Sequence, residues 1–172
     1  MITLITGGVK SGKSSFALRY IHSKKYDKRA FIATGEPFDE EMRLRIERHK
    51  AERGNLFDTF EEPIEVSSVI KELDGKYDVI LFECLTTYLG NLYYYSETRS
   101  IDVEEYVNNL LNTIRERSSD IVIVTNEVGW SLVPENELGR MYVEMLGKLN
   151  STIAHYSQEV YLTISGLEVR IK

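Results

Sequence analysis

The sequence predicts an α/β fold of three layers, with a mostly parallel sheet and an antiparallel hairpin near its C-terminal end. Three observations carry this. Short β-branched runs alternate with longer helical patterns along the chain, as successive β–α units do. The first four runs are almost continuously apolar, which suits parallel strands covered on both faces. A glycine-rich octapeptide joins the first run to the first helical pattern.

The strand candidates are Ile2–Thr6, Ala30–Thr34, Val79–Phe82, Ile121–Thr125 and Val160–Ile164. A last run, Leu167–Ile171, follows Ser165-Gly166 and is expected to turn back as an antiparallel edge. Helical patterns fill the gaps at Lys13–Ser23, Asp39–Arg53, Val66–Leu73, Val103–Arg117 and Glu135–Tyr156. Asp39 suits an N-cap with acidic residues in the turn behind it. Pro134 precedes the last helix, whose apolar face is read as Leu138, Tyr142, Met145, Leu149 and Ile153. In such folds ligands sit at the carboxyl ends of the strands. That rule gathers Gly7, Thr34, Glu83 and Asn126 around one crevice.

Composition narrows the class. The 172 residues are 42% hydrophobic and 28% charged, as a soluble globular protein would be. One domain spanning residues 1–172 is expected, since no repeat, linker or low-complexity tract divides the chain. The net charge of −6 gives no global pull toward nucleic acid or an anionic membrane. Apolar runs reach about six residues, against the ~20 that span a bilayer. MITLITGG lacks a basic region ahead of its apolar stretch and reads as a first strand, not a signal peptide. The single cysteine, Cys84, excludes an internal disulfide framework. A cytoplasmic location is expected.

The octapeptide Gly7-Gly8-Val9-Lys10-Ser11-Gly12-Lys13-Ser14 matches G-x-x-x-x-G-K-[ST] in full. Phosphate oxygens need converging N–H donors, and glycines let the backbone curl closely enough to supply them. Lys13 adds a point charge for the β and γ phosphates, and the Ser14 hydroxyl suits Mg²⁺. The pattern belongs to the three-layer P-loop NTPase fold. A second acidic ligand for Mg²⁺ is expected at the end of a neighbouring strand. Glu83, just after Val79-Ile80-Leu81-Phe82, supplies one, whereas Asp78 lies at the opposite end.

The segment from Asp39 to Arg53 would be about 22 Å long, enough to project beyond the sheet. Met42, Ile46 and His49 share one face. Arg45 stands one turn before His49 and Arg53 one turn after. Such cations would draw in phosphate and keep the imidazole neutral near pH 7. An amphipathic surface helix with an idle histidine fits the same spacing. His22 and His155 sit late in helical patterns with no motif around them.

These residues together resemble the bifunctional adenosylcobinamide kinase / adenosylcobinamide-phosphate guanylyltransferase family of cobalamin biosynthesis. The resemblance runs nearly end to end. It rests on the octapeptide, on Arg45-Ile46 with His49-Lys50, on Glu83-Cys84-Leu85-Thr86-Thr87 with Asn91, on Thr125-Asn126-Glu127-Val128-Gly129, and on Val133-Pro134-Glu135-Asn136. It implies phosphorylation of adenosylcobinamide by ATP or GTP. It then implies transfer of GMP from GTP to that phosphate through a GMP-histidine, with His49 as the matching residue and Lys13 as catalytic cation. By the same resemblance, GTP contacts fall at Ala33, Thr34, Gly35, Lys50, Ala51, Glu52, Arg53, Glu61 and Glu83, and the assembly is a homotrimer. Glu83 stays open between Mg²⁺ and guanine. A single-activity kinase of another alcohol and a nucleotide-switched binding module remain the competing readings. Asn91–Ser100 is read as a loop whose Tyr93-Tyr94-Tyr95 could stack on a corrinoid, line a subunit contact or simply pack.

Overall fold

The computed structural model describes the backbone of residues 1–172, and all side chains except those of Met42, Arg45, Arg48, His49, Glu52, Arg53 and Glu97. The sequence-based expectations for those side chains lie outside the described residues.

Seven strands form one sheet in the order β3-β2-β4-β5-β1-β6-β7. They are β1 Ile2–Gly7, β2 Arg29–Ala33, β3 Asp58–Glu61, β4 Val79–Glu83, β5 Asp120–Val124, β6 Glu159–Ile164 and β7 Leu167–Arg170. All pairings are parallel except β6 with β7, which closes the antiparallel hairpin anticipated at Ser165-Gly166. β1 lies between β5 and β6 and is buried along its whole length.

The helices are α1 Lys13–Ser23, α2 Glu40–Arg53, α3 Val66–Leu73, α4 Leu85–Arg99, α5 Val103–Glu116 and α6 Glu137–Tyr156. One core, under α3 to α6, packs Val66, Ile70, Leu89, Leu110, Leu149 and Ile153 against Leu4, Ile80, Phe82 and Ile123. The opposite core sets Phe16, Ala17, Tyr20 and Ile21 of α1 against Ile5, Leu81, Val122 and Val124. Central strands covered on both faces explain their unbroken apolar runs. Phe82 meets the buried ring of Tyr88 edge-on, with centroids 5.9 Å apart. Phe82→Ala should therefore cost about 3–5 kcal/mol of stability, read as a lowered urea midpoint with unchanged slope.

Three sequence expectations need correction. Asn91–Ser100 is no loop: it belongs to α4, which opens directly on Cys84. The Cys84 sulfur serves as cap, accepting from the Thr87 N–H at 3.4 Å. The last helix starts at Glu137 rather than Glu135. Asn136 caps it by accepting the Gly139 N–H at 2.6 Å, so Pro134 stands outside the helix. Leu138 is 58% exposed, ahead of the part of α6 that is buried. The buried face of α6 is Leu146, Leu149, Asn150 and Ile153. The short edge strand β3 had no counterpart among the strand candidates.

Candidate nucleotide site

The carboxyl ends of β1, β2, β3, β4 and β5 bring the candidate residues to one edge. Glu61 of β3 pairs with Ala33 of β2, Ala33 with Glu83 of β4, and Glu83 with Val124 of β5. Those four positions make one row across the sheet. β1 continues the row through Ile5 opposite Val124, and Gly7 follows two residues on.

The octapeptide leaves β1 at Gly7 and turns into α1 at Gly12. Gly7 has φ +150°, and a Cβ there would lie 2.4 Å from the Thr163 carbonyl oxygen. Gly12 is left-handed at φ +98°, with the backbone of Gly166 3.3 Å from where its Cβ would be. Both positions therefore demand glycine. The hairpin behind the loop holds it further. Ser11 and Thr163 share a hydroxyl hydrogen bond of 2.6 Å, and the Gly166 N–H donates to the Ser11 carbonyl at 3.0 Å. On the other side the Glu127 N–H donates to the Gly7 carbonyl at 3.0 Å. The Lys13 ammonium lies over the loop and donates to the Gly8 carbonyl at 2.5 Å. The first turn of α1 adds its partial positive charge at the same point.

α1 lies across β5, so Ser14 in its first turn reaches the end of β4. There the Ser14 hydroxyl donates to the Glu83 carboxylate. These two hard oxygen ligands fit Mg²⁺, an ion that takes one or two protein oxygens and completes its shell with phosphate and water. Among the described residues no group of three or more His, Cys, Asp or Glu side chains could hold a metal by itself. Asp78 sits at the other end of β4 and accepts the Asp27 and Lys28 N–H groups, each at 2.8 Å.

A buried polar clamp fixes the side of the crevice away from β1. The Thr34 N–H donates to the Glu83 carbonyl at 3.1 Å, and its hydroxyl bridges the Cys84 N–H and carbonyl, both at 2.9 Å. Asn91 donates to the carbonyls of Thr34 at 2.8 Å and Pro63 at 3.1 Å. Thr34 is thus wholly engaged and 0% exposed, while Ala33 and Gly35 beside it are half-buried. A matching clamp serves β5: Thr125 donates to Asn150 at 2.8 Å, Asn150 to the Asn126 carbonyl at 3.0 Å, and the Asn126 N–H to Thr86 at 2.7 Å. Sequence reading gave neither Asn91 nor Thr163 a structural part, since each acts on residues remote in sequence. Burial raises the Cys84 thiol above its usual pKa, with Thr87 opposing. A neutral thiol capping a helix fits a packing residue better than a nucleophile.

α2 rises over the end of β2, where Ile46 lies 3.6 Å from the position a Cβ would take on Gly35. Lys50 forms an ion pair with Glu61 at the end of β3. Ala51 is exposed, and the side chains of His49, Glu52 and Arg53 lie outside the described residues. Arg43, another cation of this helix, is taken by Glu40 and Glu47 on either side of it. Tyr93 of α4 packs against Tyr142 of α6 at 6.2 Å, and Tyr94 against Tyr95 at 4.9 Å and Phe38 at 5.3 Å. His22 and His155 are exposed in the last turns of α1 and α6. No helix among the described residues is long and apolar enough to cross a membrane.

The fold is shared with P-loop ATPases. A prototypical ATPase from the type III secretion system of pathogenic bacteria superposes on 94% of this chain and 50% of its own, with TM-score 0.61 and 8% identity. A second solved ATPase domain superposes on 94% of this chain and 68% of its own, with TM-score 0.50 and 11% identity. In sequence the chain is 33% identical over 183 residues to the bifunctional adenosylcobalamin biosynthesis protein CobU of Escherichia coli K12, covering 100% of both. It is 35% identical over 185 residues to CobU of Salmonella typhimurium LT2, again covering 100% of both. It is 34% identical over 172 residues to CobP of Pseudomonas aeruginosa PAO1, covering 100% of this chain and 98% of that one. Residues 3–171 match the family described as cobinamide kinase / cobinamide phosphate guanyltransferase. With a match to that family over residues 3–171 and relatives 33–35% identical along the whole chain, the chain belongs to this family of transferase enzymes of cobalamin biosynthesis.

Proposed function

We propose that the protein phosphorylates adenosylcobinamide with ATP or GTP and then transfers GMP from GTP to the product through a GMP adduct on His49. The observation that carries this reading is the convergence of two elements on one sheet edge. The phosphate loop occupies the end of β1, and α2, bearing His49, rises over the ends of β2 and β3, tied there by Ile46 and Lys50.

In the first reaction the acceptor hydroxyl oxygen attacks the γ-phosphorus. The bond to the β–γ bridging oxygen breaks, nucleoside diphosphate leaves, and the hydroxyl proton is released. Lys13 and the loop N–H groups offset the charge spread over the transferring oxygens. In the second reaction a neutral imidazole nitrogen of His49 attacks the α-phosphorus of GTP, and pyrophosphate leaves on the same cradle. An oxygen of the corrinoid phosphate then attacks the phosphoramidate. The P–N bond breaks, giving adenosylcobinamide-GDP and regenerating the imidazole. Mg²⁺ held by Ser14 and Glu83 would supply charge neutralisation at the leaving phosphates.

The test is incubation with α-labelled GTP. An acid-labile, base-stable label on the wild-type protein, absent from His49→Ala, supports the histidine route, and an unlabelled wild type sinks it. The contact with Ser14 favours the metal role for Glu83 over guanine contact. Glu83→Gln is therefore expected to raise the Mg²⁺ concentration needed for half-maximal turnover by about tenfold, a loss of roughly 1.4 kcal/mol, while leaving the GTP-over-ATP preference unchanged. A changed nucleotide preference with the same Mg²⁺ requirement would assign Glu83 to the base instead.

A further inference from the structure

The connection from β5 to α6 carries an apolar surface that the phosphate chemistry does not use. Residues 128–134 contain no charged side chain in a chain that is 28% charged. Three large apolar side chains in it face solvent: Trp130 is 76% exposed, Leu132 93% and Val133 77%. Val9, at the crest of the phosphate loop, adds a fourth exposed apolar group at 74%. Isolated exposed apolar residues are ordinary, but a cluster of them beside a functional site marks a binding surface.

This segment is a built turn. The Ser131 N–H and hydroxyl both donate to the Val128 carbonyl, at 3.4 and 2.8 Å. The Gly129 N–H donates to the Glu127 carboxylate at 3.1 Å. The far end is held by Arg140, which donates to the carbonyls of Pro134 at 3.1 Å and Glu135 at 2.6 Å. Its near end is the hydrogen bond from the Glu127 N–H to the Gly7 carbonyl. Trp130 is three residues from that bond and Val9 two. Their Cα atoms therefore lie within about 11 Å and 7 Å of its two ends, by the reach of the chain. Trp130 and Val9 thus border the mouth of the phosphate site, and Leu132 and Val133 follow Trp130 along the same exposed turn.

We infer that Trp130, Leu132 and Val133, with Val9, form the platform for the corrin macrocycle of the acceptor, a subsite that rests on the function proposed above. The acceptor carries its hydroxyl on a side chain of a large macrocycle. When its hydroxyl reaches the γ-phosphate, the macrocycle must lie on the surrounding surface. Around its rim methyl groups alternate with carboxamide side chains, and the methyl groups suit an indole and branched aliphatic side chains. A charged surface would have to be desolvated against that rim, and this segment has no charge to desolvate. A second copy of the chain is the other occupant to weigh, but seated here it would cover the mouth that the acceptor must enter.

The experiment compares steady-state cobinamide phosphorylation by wild type, Trp130→Ala, Trp130→Phe and Leu132→Ser, with sedimentation velocity on each. Trp130→Ala should raise the KM for cobinamide about tenfold and leave the KM for ATP within about twofold. Trp130→Phe should recover most of the loss, and all four proteins should sediment alike. An unchanged cobinamide KM in both Trp130→Ala and Leu132→Ser overturns the platform. So does an altered sedimentation coefficient, which would make this face a contact between copies. Wild-type protein that phosphorylates no cobinamide overturns the underlying function instead, so the two failures are distinguishable.

Discussion

Lys13→Ala should lower kcat/KM for cobinamide phosphorylation by about 10³-fold or more. Lys13 is 8% exposed, and its ammonium already sits within the curl of the loop, 2.5 Å from the Gly8 carbonyl. Its position therefore costs little reorganisation when charge builds on the transferring oxygens. A cation held this way acts in a partly dehydrated cradle, where an electrostatic contact counts for more than in water. Most of the loss should fall on kcat, because the loop N–H groups and helix terminus still bind the phosphates. Arginine at the same position should rescue poorly, since its planar fork cannot replace a point charge on a shorter reach. Rapid-quench measurement of a single turnover would isolate the chemical step. A single-turnover rate within tenfold of wild type would remove Lys13 from the catalytic role.

The second large effect is expected at His49, and it should be selective. His49→Asn should abolish the covalent GMP adduct and lower guanylyl transfer by at least about 10³-fold. Kinase turnover should stay within about threefold, as for a change outside the γ-phosphate cradle. The selectivity follows from architecture. Lys13, Ser14 and Glu83 belong to α1 and β4, whereas His49 belongs to α2. Parallel assays of phosphorylated corrinoid and of pyrophosphate release on the same preparation would read both limbs. An equal loss of the two activities would mean that α2 supports the phosphate site as a whole, and the two-reaction assignment would fall.

The phosphate loop, the central strands and the terminal hairpin were legible because each is written locally. A full octapeptide, unbroken β-branched runs and a Ser-Gly turn all act over a few residues. The meeting of Ser14 with Glu83 was also legible, because strand ends gather at one edge of a parallel sheet. Other features were not. β3 is short, sits at the sheet edge and exposes Asp58, Thr59 and Glu61 around a half-buried Phe60, with little alternation to read. α4 begins immediately after β4, with a cysteine where Ser, Asp or Asn usually announces a helix. Its Tyr-rich second half then looks like a loop. Leu138 obeys the helical period of α6, but periodicity cannot tell which turns of a helix are buried. The clamps of Asn91 and Asn150 depend on pairs separated by 57 and 25 residues, beyond the range of any local pattern.

The backing of the phosphate loop by Thr163 and Gly166 bears on how the protein is made. β1 is the first strand of this sheet to leave the ribosome, yet its partners β5 and β6 are the fifth and sixth to emerge. Synthesis proceeds at roughly 5–20 residues per second, so the octapeptide waits for many seconds before Thr163 and Gly166 exist to shape it. The nascent chain should accordingly gain protection by nucleotide late and in one step, once β6 has been translated and has cleared the exit tunnel. Until then an apolar strand with both edges unpaired is the segment most in need of a chaperone.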